Sequence, residues 1–192
     1  LLLPWLYRKT LFKHEWRCYK PNNEEAFSRL LQMDDNFYLD TCYALANYPK
    51  EDVSRYFKPQ IALQKSIHHI VESFTGNTLG VHIRRTDNVV SIQSSPLENF
   101  TNMMDAEIKK NANTKFYVAS DDDEVKENLK SKYPNRIITL MDDTDRNSLE
   151  GMKFAVLDLF CLSKTNKIIG SVGSSYSQIA AEIGGIEVEY AK

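Results

Sequence analysis

The sequence has 192 residues, a length that suits one ordinary domain or one domain with an added arm. Its 24 basic and 26 acidic residues give a formal net charge of -2. That balance argues against a general nucleic-acid-binding protein, because such proteins gather a basic excess on one face. An anionic ligand would therefore be held locally, by a few placed arginines.

The three cysteines, Cys18, Cys42 and Cys161, are widely spaced and form no CxxC pair, so neither a zinc knuckle nor a redox dithiol is expected. The pattern is typical of a reducing compartment, which favours a cytoplasmic protein of bacterial type. The alternative location, if the chain is part of a longer eukaryotic protein, is the Golgi lumen. No apolar stretch reaches the ~20 residues that a membrane span needs. The apolar start is too short for a signal peptide and lacks an initiator methionine, so we expect the chain to begin within a longer protein.

Residues 1–77 are predicted to form a helical segment that is a remnant of a second domain or a linker to one. Asn22 and Asn23 come directly before an apolar pattern of helical spacing, as capping residues do. A second helix is predicted from about Gln60 to Phe74, with Pro59 at its start. Its buried face is predicted to contain Ile61, Ile67, Ile70, Val71 and Phe74.

From residue 78 onward, strands and helices are predicted to alternate, and residues 78–192 are predicted to form one α/β domain. The capping residues predicted for its helices include Ser95, Asp121 and Ser148, and Gly184 and Gly185 are predicted to stop the last helix. Strands that alternate with helices of about 10–15 residues indicate βαβ units and a parallel sheet. The predicted strands are Thr78–Arg84, Lys115–Ser120, Arg136–Leu140, Lys167–Ser171 and Ile186–Tyr190.

Three polar segments follow predicted strand ends: residues 84–87, 120–123 and 170–175. In such sheets, ligands bind outside the carboxyl ends of the strands, near the point where the strand order reverses. Together the segments offer guanidinium groups, carboxylates and a turn of small residues before a helix. Arginine binds phosphate oxygens through two parallel hydrogen bonds, and helix N-termini hold anions through free N–H groups. A ligand that contains a diphosphate suits this crevice.

Strand alternation separates the two arginines of the first segment. His82 and Arg84 share one face and Arg85 points to the other, which predicts Arg84 as the ligand-binding arginine and Arg85 as a structural one, with Asp87 as its candidate partner. Taken alone, an arginine pair at a strand end is more often solvated or salt-bridged. A lone histidine such as His82 is more often a satisfied buried side chain.

Two acidic features allow more than one interpretation. The run Asp121–Asp123 resembles a DxD metal site of the kind found in glycosyltransferases, but it also stands where a helix cap belongs, and we favour the cap. Asp158 lies within the otherwise apolar helical segment 154–160, so its carboxylate requires a specific partner. The alternative for Asp158 is a buried ion pair with one of the arginines.

Several segments in this order resemble the motifs of one superfamily. Residues 81–87, VHIRRTD, resemble the first motif of the α-1,2/α-1,6-fucosyltransferase and nodulation fucosyltransferase superfamily, in which H-x-R-R-x-D ends a strand. The pattern is most similar to the core α-1,6-fucosyltransferase branch, and the resemblance covers residues 78 to about 183. The second motif is matched at 116–122 and 132–135, and the third at 147–151, 156–159, 162–163 and 174–175.

The resemblance implies a Rossmann-like, doubly wound parallel sheet, namely the nucleotide-binding domain of a GT-B glycosyltransferase. It also implies GDP-fucose as the donor, a glycan as the acceptor, and no metal. By resemblance, Arg84 would hold the β-phosphate and stabilise the departing GDP. Asp158 and His82 would bind the edge of the guanine.

The remaining implied roles concern the loops. By resemblance, Ser174 and Ser175 would contact phosphate at the start of a helix, and Arg85 and Asp87 would support the loop after the first strand. The superfamily also clamps the pyrophosphate with a glycine-rich loop, which residues 1–77 do not contain.

After the missing glycine-rich loop, the chain departs from the superfamily pattern a second time, at the position of the general base. Core α-1,6 enzymes place a glutamate a few residues after the first motif, where this chain has Ile92, and residues 88–95 contain no carboxylate. Asp87 and Glu98 are then the candidates for the general base, unless the base lies on a part of the protein outside this sequence. The rival interpretation is a non-catalytic nucleotide-sugar-binding domain. A third is a different α/β phosphoester enzyme that uses the aspartate run with a metal.

Overall fold

The computed structural model describes residues 5–18, 24–41, 48–141, 145 and 147–192. The chain divides into two compact units, Leu1–Pro49 and Lys50–Lys192. We expected the division near residue 77. Residues 50–77 instead belong to the unit that contains the main sheet, because helix α4 (Ile61–Val71) packs against the long helix α8 (Leu149–Leu162) of that unit.

The first unit is not purely helical, contrary to prediction. It contains α1 (Trp5–Leu11), β1 (His14–Cys18), α2 (Glu24–Leu31) and β2 (Phe37–Thr41), and the two strands pair in parallel. The strands escaped prediction because β1 carries charged side chains, which obscure the alternation of apolar and polar residues. Those charges are paired: Arg17 lies 2.7 Å from Glu15 and 3.7 Å from Asp40 on β2. Helix α2 was predicted, and its proposed caps lie outside the described residues.

In the second unit, five strands form one parallel sheet in the order β5-β4-β3-β6-β7. Strand β3 lies at the centre, and the strand order reverses between β3 and β6. The predicted α/β class with a doubly wound parallel sheet is therefore confirmed. The elements are α3 (Lys50–Tyr56), α4, β3 (Thr78–Ile83), α5 (Val89–Ser94), α6 (Leu97–Lys110), β4 (Lys115–Ser120), α7 (Asp123–Lys132), β5 (Ile137–Thr139), α8, β6 (Lys167–Gly170), α9 (Ser175–Gly184) and β7 (Glu187–Tyr190).

Helices cover both faces of this sheet, because alternate strand residues point to opposite sides. Val118 of β4 belongs to one apolar cluster, which also contains residues of α6 and α7. Its neighbour Tyr117 belongs to the other cluster, which contains residues of α4, α8 and α9. All six residues of β3 are buried. The carboxyl edge of the sheet is thus the open place where a ligand can reach the strand ends.

Several helix ends differ from prediction. Ile61, predicted on the buried face of α4, is the first residue of the helix and is 75% exposed, whereas Ile67, six residues later, is buried. The short helix α5 was not predicted. Ser95 does not cap α6, which has Pro96 at its N-cap; the Ser95 hydroxyl instead accepts a hydrogen bond from the Val172 N–H at 2.9 Å.

Other helix boundaries were predicted correctly. Ser148 caps α8 by accepting from the Gly151 N–H at 2.8 Å. Gly185 ends α9 in the left-handed conformation with φ 63°, which favours glycine. In the part of the chain that the structure describes, no helix combines the length and the apolar character needed to cross a bilayer.

Candidate functional site

A cleft of about 520 Å³ opens at the carboxyl edge of the sheet, where β3 and β6 diverge. A larger cavity of about 690 Å³ lies at the opposite edge, near Asn77 and Lys115 at the amino ends of β3 and β4. We take the smaller cleft as the site, because the polar segments predicted from the sequence converge only there. The side chains that define it are His82, Arg84, Asp121, Phe154, Asp158, Ser174 and Tyr176.

Arg84 follows β3 directly and is the one arginine or lysine among the described residues that lines the cleft. Its side chain is 13% exposed, with Nη1 2.6 Å from Oδ2 of Asp121 and with Nη2 donating to Asp87. Asp121 is itself fixed, since it accepts from the N–H of Arg85 at 2.8 Å and from the hydroxyl of Thr86 at 2.6 Å. Burial raises the pKa of Asp121, but these hydrogen bonds and the Arg84 charge outweigh it and bring the pKa below its ordinary value. The guanidinium is thus held rigidly over the strand ends.

Arg85 turns away from the cleft, as strand alternation predicts. It donates to the carbonyl oxygens of Arg84 at 3.1 Å and Ser95 at 2.9 Å, and it lies over the ring of Phe100. The expected pairing of Arg85 with Asp87 is wrong: Asp87 accepts from Arg84, on whose side of the chain it lies. Arg85 therefore ties the loop after β3 to the segment before α6.

His82 is buried on the cleft side of β3. Its Nδ1 lies 2.7 Å from the hydroxyl of Ser177, and its ring packs against that of Tyr176 with centroids 4.7 Å apart. Gly170 permits this contact, because a Cβ at position 170 would come within 2.6 Å of the Ser177 hydroxyl. Burial lowers the pKa of His82 to about 4; Asp121 opposes the shift and Arg84 adds to it. The imidazole is therefore neutral near pH 7.

Asp158 has the specific partner that its apolar helix required. The carboxyl group is 5% exposed, and the hydroxyl of Tyr117 on β4 donates to its Oδ1. Tyr117 thus takes the place of the arginine that we considered as the alternative partner. Burial raises the pKa of Asp158 to about 7, against the hydrogen bond from Tyr117 and the positive charge of Lys126. Asp158 is a carboxyl group whose charge changes near neutral pH.

The turn between β6 and α9 forms another wall of the cleft. Gly173 adopts φ 72°, a left-handed conformation, and its carbonyl oxygen accepts from the side chain of Asn88 at 3.2 Å. Ser174 is the N-cap of α9, yet its side chain makes no capping hydrogen bond with the helix. Ser174 and Ser175 both line the cleft, at the helix end that carries partial positive charge.

Each carboxylate of the run Asp121–Asp123 has a partner in the protein. Asp122 caps α7 by accepting from the N–H groups of Glu124 at 3.0 Å and Val125 at 3.3 Å, one residue later than the cap predicted at Asp121. Asp123 lies 2.9 Å from the ammonium of Lys126. Within the described ranges, no three His, Cys, Asp or Glu side chains are arranged to hold a metal ion.

The sequence did not reveal the roles that four residues play at this site, although the segment that contains Asp121 was predicted to reach it. Tyr117 orients Asp158, Tyr176 packs on His82, and Asp121 anchors Arg84. The fourth, Lys126, acts on Asp158. Asp121 and Tyr176 carried a usable signal, because one directly follows a strand end and the other directly follows the small-residue turn. Tyr117 and Lys126 carried none, since an aromatic strand residue and a helical lysine are ordinary in both places.

Neither a protein-family model nor a curated protein matches this sequence. Solved structures do match it. NodZ alpha-1,6-fucosyltransferase soaked with GDP-fucose superposes with a TM-score of 0.57 at 18% identity, over 83% of this chain and 57% of that chain. The selenomethionine form of NodZ from Bradyrhizobium gives 0.60 at 19% identity, over 82% and 56%. POFUT1 in complex with GDP gives 0.52 at 11% identity, over 93% and 74%.

At these identities the likeness shows the fold, and this chain spans only a little over half of the NodZ chain. The match extends over more than four fifths of this chain. The chain therefore shares with GT-B fucosyltransferases such as NodZ an α/β fold in which helices flank a parallel sheet.

Proposed function

We propose that this chain binds GDP-fucose and is the donor-binding part of a fucosyltransferase that transfers fucose to a glycan acceptor with inversion. The observation that carries the proposal is the convergence of His82, Arg84 and Asp158 on one cleft, at the point where the strand order reverses. The fold supports it, because the neighbouring structures contain GDP or GDP-fucose. We assign the chain to the superfamily of its H-x-R-R-x-D motif, nearest the core α-1,6 branch.

Arg84 binds the diphosphate in this proposal, together with Ser174 and Ser175 at the start of α9. Its charge is shared with two carboxylates, but the side chain of Asp87 is 60% exposed, so a phosphate can replace Asp87 at small cost. Asp121 stays in place and fixes the guanidinium. Transfer of fucose builds negative charge on the leaving diphosphate, and a fixed arginine stabilises that charge in the transition state. Arg85 supports the loop from behind.

Asp158 and His82 bind the guanine. The N1–H and the 2-amino group of guanine are adjacent donors, and one carboxylate can accept from both. Adenine presents an acceptor at N1, and uracil presents a single N–H between two carbonyl oxygens, so neither base satisfies Asp158. Tyr117 fixes the orientation of the carboxylate. Neutral His82, held by Ser177, adds a second polar contact that carries no charge.

Asp87 is the proposed general base. A base in inverting transfer accepts the proton of the acceptor hydroxyl as that oxygen attacks the sugar. Asp87 lies beside Arg84 and its side chain is 60% exposed, so an acceptor hydroxyl can reach its carboxylate. Glu98, an exposed residue in the first turn of α6, is the second candidate. A cytoplasmic location, inferred from the cysteines, stays a prediction.

A non-catalytic nucleotide-sugar-binding domain is the alternative. It is favoured by one observation: Asp87 is ion-paired with Arg84, and residues 88–95 contain no other carboxylate. The two functions share the GDP site and differ in turnover. Release of GDP from GDP-fucose in the presence of glycan acceptors would support the enzyme, whereas intact binding without turnover would support the alternative.

The chain is expected to bind GDP about five- to 150-fold more tightly than UDP or ADP. The reason is that a buried carboxylate left facing the wrong base loses its hydrogen bonds, which costs about 1–3 kcal/mol. Titration calorimetry with the three diphosphates under one buffer condition measures the difference. Equal affinity for all three, or binding of none, contradicts the guanine assignment.

Binding of GDP is also expected to be independent of metal ions. Asp121, Asp122 and Asp123 are engaged by protein partners, so EDTA should leave the affinity unchanged. The control is Asp122→Ala, which removes the cap of α7 and should lower stability by about 1 kcal/mol without changing GDP affinity. A manganese requirement that Asp122→Ala abolishes would restore the metal interpretation.

A further inference from the structure

Lys126 of α7 is fully buried, which is unusual for a lysine. Its ammonium lies 2.9 Å from Oδ1 of Asp123 and 5.3 Å from the centre of the Phe154 ring. Phe154 lines the cleft and stands one helical turn before Asp158 on α8, so the two share a face of that helix. Lys126 therefore places a cation outside the lining of the cleft, beside Phe154 and on the face of α8 that also carries Asp158.

Packing alone does not account for a charge at this position. The neighbouring residues Val125 and Leu129 fill the first apolar cluster, and an apolar side chain at 126 would avoid the cost of burying an ammonium. Asp123 compensates that cost only in part, because its side chain is 53% exposed. Because the ammonium is buried and its counter-ion is half exposed, water screens its charge little, and the charge acts on the nearest buried acidic group.

That group is Asp158, and the other titratable side chains around it are neutral near pH 7. Tyr117 of β4 and Tyr176 of α9 have pKa values raised well above normal, chiefly by burial. Burial also raises the pKa of Cys161, on the same helix, to about 12, and it lowers the pKa of His82 on β3 to about 4. Helix α4 contributes apolar residues to this region. Among the described residues, Lys126 is the one charge that favours the ionised form of Asp158.

We propose that Lys126 is a positioning residue that keeps Asp158 ionised and thereby sets the preference of the cleft for guanine. The inference rests on the proposed function, since it assigns a purpose to the carboxylate that binds the base. Lys126 touches neither the nucleotide nor the reacting atoms and acts through Asp158 alone. The proposal requires only that the ammonium of Lys126 stays beside Asp123 and the ring of Phe154.

The test measures GDP affinity by calorimetry from about pH 6 to about pH 9 in the wild type and in Lys126→Met. Guanine binds the carboxylate form of Asp158, so affinity falls as the pH drops through the midpoint of this titration. Loss of the nearby positive charge moves the midpoint upward by about one pH unit. Below the midpoint, Lys126→Met then binds GDP about tenfold more weakly. At the high end of the range the two proteins bind equally.

Two control variants make the result interpretable, and so does the fact that the titration of GDP itself is the same for every variant. Lys126→Arg retains the charge and should keep the wild-type midpoint, and Lys153→Met removes an exposed lysine of α8 and should also keep it. The β-phosphate of GDP titrates near about pH 6 in every variant, so its contribution cancels in the comparison. Melting temperatures are recorded throughout. If Lys126→Met unfolds at the working temperature, Lys126→Gln should show the same upward shift.

The outcomes separate the inference from the proposed function. If Lys126→Met loses the same affinity at every pH, or none, Lys126 has no effect on the charge of Asp158 and the inference is overturned. The same holds if wild-type affinity does not change between these pH limits. If the wild type binds no GDP at any pH, the proposed function itself fails.

Discussion

GDP binding is expected to weaken by about ten- to a hundredfold when Arg84 is replaced by alanine, a loss of about 1.5–3 kcal/mol. Arg84 is the one arginine or lysine that lines the cleft within the described residues, and its removal leaves Asp121 facing the diphosphate without its ion-pair partner. Arg84→Lys should restore only part of the affinity, because an ammonium cannot reproduce the planar guanidinium fork.

The matched variant is Arg85→Ala, and its effect should fall on stability. Arg85 donates to the carbonyl oxygens of Arg84 and Ser95 and packs on Phe100, so its loss loosens the loop and costs about 1–3 kcal/mol. Each kcal/mol lowers the melting temperature by about 2–4 °C in a chain of this size. GDP affinity and melting temperature are measured for the two variants side by side. Loss of binding in Arg85→Ala, with only destabilisation in Arg84→Ala, would show that the roles are reversed.

Asp158→Asn is expected to change binding and stability in opposite directions. Asparagine keeps the volume and can still accept from Tyr117, but it cannot offer a carboxylate to guanine. GDP affinity should fall at least tenfold at pH values above about 7, where the wild-type carboxyl group is ionised. The melting temperature should rise in the same range, because the neutral amide avoids the cost of burying a charge.

The pH dependence of that gain follows from the pKa of Asp158. Its folded value of about 7 lies above the value of about 3.9 in an unfolded chain, so the unfolded state releases the proton first. The stability contributed by Asp158 therefore falls as the pH rises from about 4 to about 7, and the gain from Asp158→Asn grows over that window. His82 has the opposite dependence, since its folded pKa is lowered, but it is common to both proteins and cancels.

Melting curves at several pH values, with GDP affinity measured in parallel, test this prediction. Asp105→Asn is the matched control, because Asp105 also accepts a tyrosine hydroxyl, that of Tyr133, but it is only partly buried and lies outside the cleft lining. It should leave GDP binding unchanged. A stability gain for Asp158→Asn that shrinks with rising pH, or a variant that binds GDP normally, would remove Asp158 from its assigned role.

The sheet could be predicted because its strands and helices follow the periods of 2 and 3.6 residues. Strand β4 begins and ends where the pattern placed it, and Gly185 ends α9. The strands of the first unit could not be predicted, because paired charges such as those of Arg17 and Glu15 replace the apolar alternation. Those charges find their partners only after the strands have formed.

The sequence could also predict which segments meet, since His82, Arg84 and Asp158 all line one cleft. It could not predict the partners that these residues choose. Lys126 stands on an amphipathic helix, where a lysine is usually solvated. Its contact with the ring of Phe154, a residue distant along the chain, could not be predicted. Asp87 pairs with Arg84 and not with Arg85, the predicted partner, because of the way the loop turns after β3. The residue types alone do not predict that turn.

Strand β3 lies at the centre of the sheet and is also its first strand in the chain. Its bond with β4 from the Ser120 hydroxyl to Ile83 spans 37 residues, whereas the cleft contacts of Arg84 with Ser171 and of His82 with Ser177 span 87 and 95 residues. Closing a longer loop costs more chain entropy, so the half made of β3, β4 and β5 can assemble first and the cleft last. Detachment of β6 and α9 would dismantle the cleft while that half keeps its own pairing. The cleft thus depends on the half of the sheet that is expected to assemble second.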